Sequence, residues 1–223
     1  MSTRFRGLVL AVASLTLAPA LFTAEPRNLG HAKREIRAYV ESGEYAADIA
    51  RVAAEAKAWI EERARVDARG IAGPQKLAAV FDLDETLWSN LSEMRTNDFG
   101  YLPESWRRWV RRGEARAIEP VREVYRAARA AGVRVFFVSA RTERDRAGTM
   151  RNLRAIGCTD FEALRLLPNE AKESAAAFKT AERKRIADAG FVIIANIGDQ
   201  ESDLAGGFAE RTFKLPNPFY LSE

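Results

Sequence analysis

Residues 76–87 read KLAAVFDLDETL, and this stretch decides how the rest of the chain is organised. Residues 77–81 form a short, continuous apolar run, which predicts a buried strand. The run ends in three carboxylates within four residues, Asp82, Asp84 and Glu85. Carboxylates this close repel one another unless a cation or a shared proton intervenes. We therefore expect a hard, oxygen-preferring metal such as Mg²⁺ beside a nucleophile and a general acid, the alternative being an acidic loop without a function.

An apolar strand followed by a polar residue occurs twice more along the chain. Residues 133–138 are largely apolar and end in Ser139, and residues 191–197 are largely apolar and lead to Asp199. Helical patterns lie between these runs, and strand–helix–strand predicts an α/β fold with a doubly wound, parallel sheet. Ligands of such sheets bind outside the carboxyl ends of the strands. We therefore expect Asp82, Ser139 and Asp199 to meet at one edge of the sheet.

Four short motifs, in this order, resemble those of the haloacid dehalogenase (HAD) superfamily. Residues 82–87, DLDETL, resemble the first motif, DxDxT, and Ser139 matches the second, a Ser or Thr after a strand. Lys179 resembles the lysine of the third motif, and residues 198–203, GDQESD, resemble the fourth, GDxxxD. Two other lysines compete for the third position, Lys172 and Lys184. The resemblance implies a mostly parallel, HAD-like Rossmann-type sheet with a small helical cap.

The same resemblance implies a catalytic role for four residues. Asp82 would attack phosphorus, and Asp84 would protonate the leaving group and then activate water. Ser139 would bind a phosphate oxygen, and the Lys179 ammonium would neutralise the nucleophile and the phosphate. Asp84 also argues against a dehalogenase, which needs no acid at that position.

A magnesium site is the second implication of the resemblance. Mg²⁺ would be bound by the Asp82 side chain, the Asp84 backbone carbonyl and Asp199. Asp203 would lie behind these ligands, where it holds metal-bound water or orients Lys179.

Three segments resemble one group within the superfamily more closely. Residues 84–90, 198–204 and 213–220 look like the class IIIB acid phosphatases, which include plant vegetative storage proteins and bacterial secreted or lipoprotein acid phosphatases. The resemblance implies a Mg²⁺-dependent acid phosphatase that hydrolyses small phosphomonoesters through an aspartyl-phosphate. The alternatives are a catalytically weak storage or binding protein on the same fold, or a phosphotransferase. Some storage members lack the nucleophilic Asp, whereas this chain has Asp82.

An aromatic-rich segment, about residues 88–118, follows the first strand and predicts an inserted cap over the active site. Such residues can form the wall of a substrate pocket, with nucleoside monophosphates as candidate substrates. Ordinary packing within the cap is the alternative for each of them. The candidate substrate contacts are Trp88, Tyr101, Trp106 and Arg141, with Trp109 further out.

The N-terminal residues predict export. Arg4 and Arg6 precede an apolar run at residues 7–17, and residues 18–20, APA, provide a small-x-small cleavage site, so residues 1–20 are predicted to be a signal peptide. We expect a periplasmic or secreted protein with no stable membrane association after cleavage; an uncleaved anchor is the alternative. Residues 25–72 predict a helical extension, and residues 73–223 the phosphatase domain.

Composition excludes several other functions. The net charge of +4 arises from scattered arginines without a run of like charges, so we expect no nucleic-acid partner. A single cysteine excludes an intrachain disulfide and a CxxC metal site. The only histidine, His31, lies far from the acidic motif, which argues against histidine-based catalysis. The expected partner is a small phosphomonoester, and homo-oligomerisation stays open.

Overall fold

A computed structural model describes residues 25–68 and 75–222, so the predicted signal peptide lies outside the described residues. The strands, in chain order, are β1 (Lys76–Phe81), β2 (Trp88–Ser89), β3 (Arg116–Ala117), β4 (Arg134–Thr142), β5 (Ala163–Leu167), β6 (Phe191–Gly198) and β7 (Thr212–Lys214). Five of them form one parallel sheet in the order β5-β4-β1-β6-β7. The predicted doubly wound α/β fold is therefore confirmed. The chain order reverses beside β1, which is where such sheets bind ligands.

Helices cover both faces of this sheet. In chain order they are α1 (Leu29–Glu41), α2 (Glu44–Ala68), α3 (Leu91–Thr96), α4 (Pro103–Arg112), α5 (Glu119–Ala130), α6 (Arg146–Ala155), α7 (Ala175–Asp188) and α8 (Glu201–Leu204). A single 3₁₀ turn, Glu143–Asp145, precedes α6. No helix in the described part of the chain is long and apolar enough to cross a membrane.

Successive side chains of β1 point to opposite faces of the sheet and so belong to two separate apolar clusters. Ala79 and Phe81 belong to the larger apolar cluster, which includes the buried stripes of α2 and α5. Ala78 and Val80 face the opposite way and pack with Phe178 of α7. Because both faces are covered, β1 is apolar from Leu77 to Phe81 rather than alternating, which explains the continuous run in the sequence.

The segment predicted to be a cap contains two short helices and a strand pair. β2 and β3 pair antiparallel, Trp88 with Ala117 and Ser89 with Arg116, and so join the two ends of the segment. α3 and α4 lie between them. Strands of two residues leave no periodic pattern, so the sequence did not predict this ribbon. The division into a helical extension and a phosphatase domain stays a prediction.

Two helices near the sheet edge begin with a capped turn. α7 begins at Ala175, where Ser174 accepts a hydrogen bond from the Ala177 N–H, so Lys179 lies in its second turn. α6 is preceded by the 3₁₀ turn, in which Thr142 and Asp145 form a capping box.

Candidate active site

One cavity of about 670 Å³ opens at the carboxyl edge of the sheet. Asp82 follows β1, Ser139 lies near the end of β4, and Asp199 follows β6, and all three line this cavity. Their predicted meeting is therefore observed, because parallel strands bring their carboxyl ends to one edge. Ser139 is buried, and its Oγ accepts a hydrogen bond from the Arg141 N–H at 3.2 Å.

Lys179 connects two of the acidic motifs. Its Nζ lies 2.5 Å from Oδ1 of Asp82 and 2.5 Å from Oδ1 of Asp203. Burial would lower the pKa of Lys179, but these two carboxylates raise it above its usual range, so the ammonium stays charged. Burial raises the pKa of Asp82 well above its usual range, and Lys179 only partly opposes this. Lys184, one competitor for this position, instead pairs with Asp188 on the surface.

Three buried carboxylates form a group that could hold a metal ion. Oxygens of Asp82, Asp199 and Asp203 all lie within 4.8 Å of one another. Burial and the neighbouring Asp203 carboxylate raise the pKa of Asp199. In the described part of the chain, one ammonium, that of Lys179, faces these three acids, which leaves negative charge that a divalent cation would balance. The all-oxygen donor set fits a hard cation such as Mg²⁺.

Asp203 uses both of its oxygens within the protein. Oδ1 accepts from Lys179, and Oδ2 accepts from the Gln200 N–H at 2.8 Å. The carboxylate packs so closely on Gly198 that a Cβ added there would lie 2.4 Å from it, which explains the glycine of the GDxxxD motif. These contacts suit the predicted role of Asp203 in orienting Lys179, although it also lies within reach of a shared ion.

Asp84 is held by three side chains. Arg141 donates to both of its oxygens, from Nε at 2.7 Å and from a terminal nitrogen at 2.6 Å. Oδ1 also accepts from Trp88 Nε1 at 2.9 Å and from Asn90 Nδ2 at 2.7 Å. Burial alone would raise the pKa of Asp84, but the Arg141 guanidinium and these hydrogen bonds lower it below its usual range.

The structure corrects the substrate contact predicted for Trp88, which does not line the cavity, whereas the contact predicted for Arg141 stays a prediction because Arg141 does line it. Trp88 is 0% exposed, because its indole lies under the guanidinium of Arg141 at 4.9 Å and donates to Asp84. It therefore supports Asp84 rather than forming a wall of the cavity. Arg141 lines the cavity, but its side chain is committed to Asp84 and stacks on Trp106 at 5.5 Å.

Other aromatic residues do form the cavity wall. Tyr101 and Trp106 line it as predicted, and Tyr101 is 71% exposed at the mouth. Phe99 and Phe219 line it as well, with their rings stacked 6.1 Å apart. Trp109 is buried and donates to Asn90 at 2.7 Å, so it packs inside the cap instead.

Glu85 is a site residue whose role the sequence did not reveal. It is fully buried, with a positive φ of 54°, at the turn that follows the two aspartates. Its carboxyl group accepts from the Asn90 N–H at 2.5 Å and from the Tyr220 hydroxyl at 3.0 Å. Burial, together with the neighbouring Asp84 carboxylate, raises the pKa of Glu85 to about 8. In the sequence, the only indication that Glu85 belongs to the site was its position beside Asp82 and Asp84.

Comparison with known families agrees with this geometry. Residues 11–223 match the family described as HAD superfamily, subfamily IIIB (Acid phosphatase). The chain belongs to this family. The resemblance inferred from the motifs is thereby confirmed.

Several plant proteins are similar in sequence. Acid phosphatase 1 of Solanum lycopersicum is 36% identical over 63% of this chain and 57% of its own length. The stem 28 kDa glycoprotein of Glycine max is 33% identical over 72% of this chain and 66% of its own length. Vegetative storage protein 1 of Arabidopsis thaliana is 32% identical over 63% of this chain and 54% of its own length. The matches therefore span about half to two thirds of these relatives.

A solved structure supports the fold independently. The class C acid phosphatase from Bacillus anthracis superimposes with a TM-score of 0.66, covering 85% of this chain and 86% of that chain. The two sequences are 22% identical, so the likeness establishes the shared fold alone.

Proposed function

We propose that this protein is a Mg²⁺-dependent acid phosphatase that hydrolyses phosphomonoesters through an aspartyl-phosphate intermediate. The observation that supports it most strongly is the Lys179 ammonium, which lies 2.5 Å from both Asp82 and Asp203 at the base of the cavity. A buried carboxylate beside a fixed cation is the arrangement expected of a nucleophile that attacks an anionic phosphate. Membership of the acid phosphatase family agrees with this assignment.

In the first step Asp82 acts as the nucleophile. One of its oxygens attacks phosphorus, the bond from phosphorus to the alcohol oxygen breaks, and Asp84 gives its proton to the departing alkoxide. Lys179 stabilises the negative charge that moves from the carboxylate to the phosphoryl oxygens. Ser139, which is buried and lines the same cavity, would donate its hydroxyl proton to one of these oxygens.

In the second step water hydrolyses the aspartyl-phosphate and so regenerates the free enzyme. Asp84 takes a proton from the water as its oxygen attacks phosphorus, the acyl-phosphate bond breaks, and Asp82 regains its carboxylate. The contact with Arg141 keeps Asp84 ionised, which suits this role as a base. The acid role in the first step requires Asp84 to be protonated, and this favours activity at low pH.

The metal would be held by Asp82, Asp199 and the Asp84 backbone carbonyl, with Asp203 adjacent. When bound, Mg²⁺ supplies positive charge that offsets the charge of the transferring phosphoryl group. The chain's own contribution is to hold the carboxylates in place, since Thr86 donates to Asp199 at 2.9 Å and Lys179 fixes Asp82. Both carboxylates are buried, so bulk water has little access to them.

The cavity supports a substrate larger than phosphate itself. At about 670 Å³ it has room for a nucleoside monophosphate, and Tyr101 and Trp106 offer aromatic surfaces on its wall. We include nucleoside monophosphates among the proposed substrates for that reason. Export to the periplasm or medium, which was inferred from residues 1–20, stays part of the proposal.

Phosphate release from p-nitrophenyl phosphate tests the central proposal. Activity should disappear with EDTA, return with Mg²⁺, and be absent from Asp82→Asn at every metal concentration. After an acid quench, a phosphoryl adduct should be found by mass spectrometry on the peptide containing Asp82. Activity that survives both EDTA and Asp82→Asn would contradict the mechanism.

A storage role is the second candidate, because relatives of this chain include vegetative storage proteins. It predicts no turnover of any phosphomonoester in a panel that includes nucleotides, with or without divalent metal.

Adding an alcohol acceptor to the same assay identifies a phosphotransferase, which would produce a new phosphate ester at the expense of free phosphate.

A further inference from the structure

The last described residues, 216–222, form a segment that we call the C-terminal strap. It has no regular secondary structure and follows β7 at the carboxyl edge of the sheet. Phe219 and Tyr220 of the strap line the cavity. The mechanism above uses no residue of this segment, although its sequence was part of the family resemblance.

Side chains of the active-site motifs attach to the strap at several points. The Tyr220 hydroxyl donates to Glu85 at 3.0 Å. Gln200 accepts from the Ser222 N–H at 3.1 Å, and the Ser202 hydroxyl donates to the Ser222 carbonyl at 2.8 Å. The C-terminal half of the strap is therefore tied to the motifs that supply the carboxylates.

Asn217 makes the contact that matters for the metal site. Its Nδ2 donates to Oδ2 of Asp199 at 2.7 Å. Its Oδ1 accepts from the Phe219 N–H at 2.8 Å, so the amide orientation is decided by both neighbours. This second bond forms an Asx turn that aims the side chain at Asp199.

The hydrogen bonds that Asp199 accepts from residues 25–68 and 75–222 leave it one free acceptor site. A carboxylate offers about four lone-pair positions. Oδ2 accepts from both Asn217 and Gln200, each at 2.7 Å, while Oδ1 accepts from Thr86 at 2.9 Å. The remaining position is on Oδ1, so the three donors together decide which oxygen is available to a cation.

We infer that Asn217 is a positioning residue for the metal site and that the strap is the element that brings it there. The inference rests on the proposed function, because it assigns Asp199 as a metal ligand. By fixing Oδ2, Asn217 keeps Asp199 from rotating away from Asp82. Loss of a hydrogen bond to a metal-ligating carboxylate typically weakens metal affinity by roughly 10- to 100-fold.

The test compares Mg²⁺ binding by the full chain and its variants, measured by isothermal titration calorimetry. Asn217→Ser keeps a side-chain oxygen that can support the turn, but its hydroxyl is too short to reach Asp199. We expect its dissociation constant for Mg²⁺ to rise at least about tenfold. At saturating Mg²⁺ its kcat should return to within about threefold of the wild-type value, because Asn217 touches neither substrate nor nucleophile.

Ser202→Ala is the matched control, since it removes one attachment of the strap without touching Asp199. It should bind Mg²⁺ with nearly wild-type affinity. An unchanged dissociation constant for Asn217→Ser would overturn the inference, as would equal losses in both variants. A kcat that stays low at saturating Mg²⁺, with a reduced melting temperature of the metal-free variant, would likewise assign Asn217 a purely structural role.

The same measurement separates this inference from the proposed function. Wild-type protein that binds Mg²⁺ but hydrolyses no phosphomonoester would contradict the function and leave the positioning role intact. Wild-type protein that binds no divalent cation would overturn both.

Discussion

The Arg141 guanidinium donates to both oxygens of Asp84, from Nε at 2.7 Å and from a terminal nitrogen at 2.6 Å. Both side chains are largely buried, and the pair lies between the indole of Trp88 and the cavity. A bidentate pair of this kind stabilises the ionised carboxylate. The proposed mechanism needs Asp84 first as an acid and then as a base, so Arg141 favours the second role at the expense of the first.

Arg141 should therefore control the pH dependence of the reaction. The first step requires protonated Asp84, so kcat/KM falls as pH rises through the pKa of this group. Since Arg141 lowers the pKa of Asp84, it moves this fall to lower pH. Arg141→Gln should move the alkaline limb of the kcat/KM profile to higher pH, and a pH series with p-nitrophenyl phosphate measures the shift.

Arg146→Gln provides the control for this shift. Arg146 also forms a two-point pair with a carboxylate, that of Glu143, but neither residue lines the cavity. Its pH profile should match that of the wild type. An alkaline limb that moves equally in both variants, or in neither, would mean that Arg141 does not control the protonation of Asp84.

Asp82→Asn should abolish turnover while the fold persists. The neutral amide cannot attack phosphorus, so we expect kcat to fall by more than about a thousandfold. Lys179 keeps its contact with Asp203, so its charge stays paired after the substitution. Steady-state kinetics and circular dichroism check the two parts, and activity within about tenfold of wild type would reject Asp82 as the nucleophile.

The positions of Asp82, Ser139 and Asp199 could be predicted because topology determines them. Each follows or ends a long apolar strand, and parallel strands bring their ends together whatever the loops do. Lys179 was predicted by its resemblance to a family motif, and its orientation toward Asp82 follows from a helix packed on the same sheet. The inferences about Asp82, Ser139 and Asp199 needed only strand order and chain direction, whereas that about Lys179 needed the family motif as well.

The orientations of Trp88 and Asn217 could not be predicted in the same way. Trp88 follows a tight turn in which Glu85 has a positive φ, so alternation no longer tells which way the indole points. Asn217 contacts Asp199 from a segment without regular structure. Such contacts depend on tertiary packing, which neither spacing nor periodicity reports.

The metal-free protein should be more stable at low pH than at neutral pH. Burial raises the pKa values of Asp82, Glu85 and Asp199, so the folded state holds protons that the unfolded state has already released. Stability is therefore fully present below the ordinary carboxyl range and declines as pH rises toward about 8, the pKa of Glu85. Melting temperatures in EDTA between pH 5 and 8 measure this decline.

Added Mg²⁺ should reverse the trend, since it binds the ionised carboxylates and stabilises only the folded state. The rise in melting temperature on adding Mg²⁺ should be larger at pH 8 than at pH 5. A melting temperature that increases with pH in EDTA would show that the three carboxyl groups are ionised without a metal.

Lys179→Met should destabilise the metal-free protein strongly. The substitution leaves Asp82 and Asp203 buried without their cation, and removal of one partner from a buried ion pair costs about 3–5 kcal/mol. Urea unfolding at pH 7 measures the loss. Lys184→Met is the control, because Lys184 pairs with Asp188 on the same helix but at the surface. Equal losses in the two variants would mean that Lys179 is not needed to neutralise the buried acids.

The final prediction concerns the aromatic wall of the cavity. Tyr101 is exposed at the mouth, whereas Trp106 also stacks on Arg141, so Tyr101→Ala is the cleaner test of substrate contact. Stacking of a base on an aromatic ring is worth roughly 1–3 kcal/mol. Tyr101→Ala should therefore raise KM for nucleoside monophosphates by about 5- to 150-fold and leave KM for glycerol phosphate unchanged.

Trp88→Phe separates the loss of substrate stacking from the loss of the hydrogen bond that Trp88 donates to Asp84. The phenyl ring keeps most of the packing under Arg141 but loses the N–H that donates to Asp84 at 2.9 Å. We expect a lower kcat for both substrates and an unchanged ratio of their KM values, because Trp88 is buried and does not reach the cavity. If Tyr101→Ala and Trp106→Ala also left that ratio unchanged, the exposed aromatics would not contact the leaving group, and nucleoside monophosphates would lose their structural support as substrates.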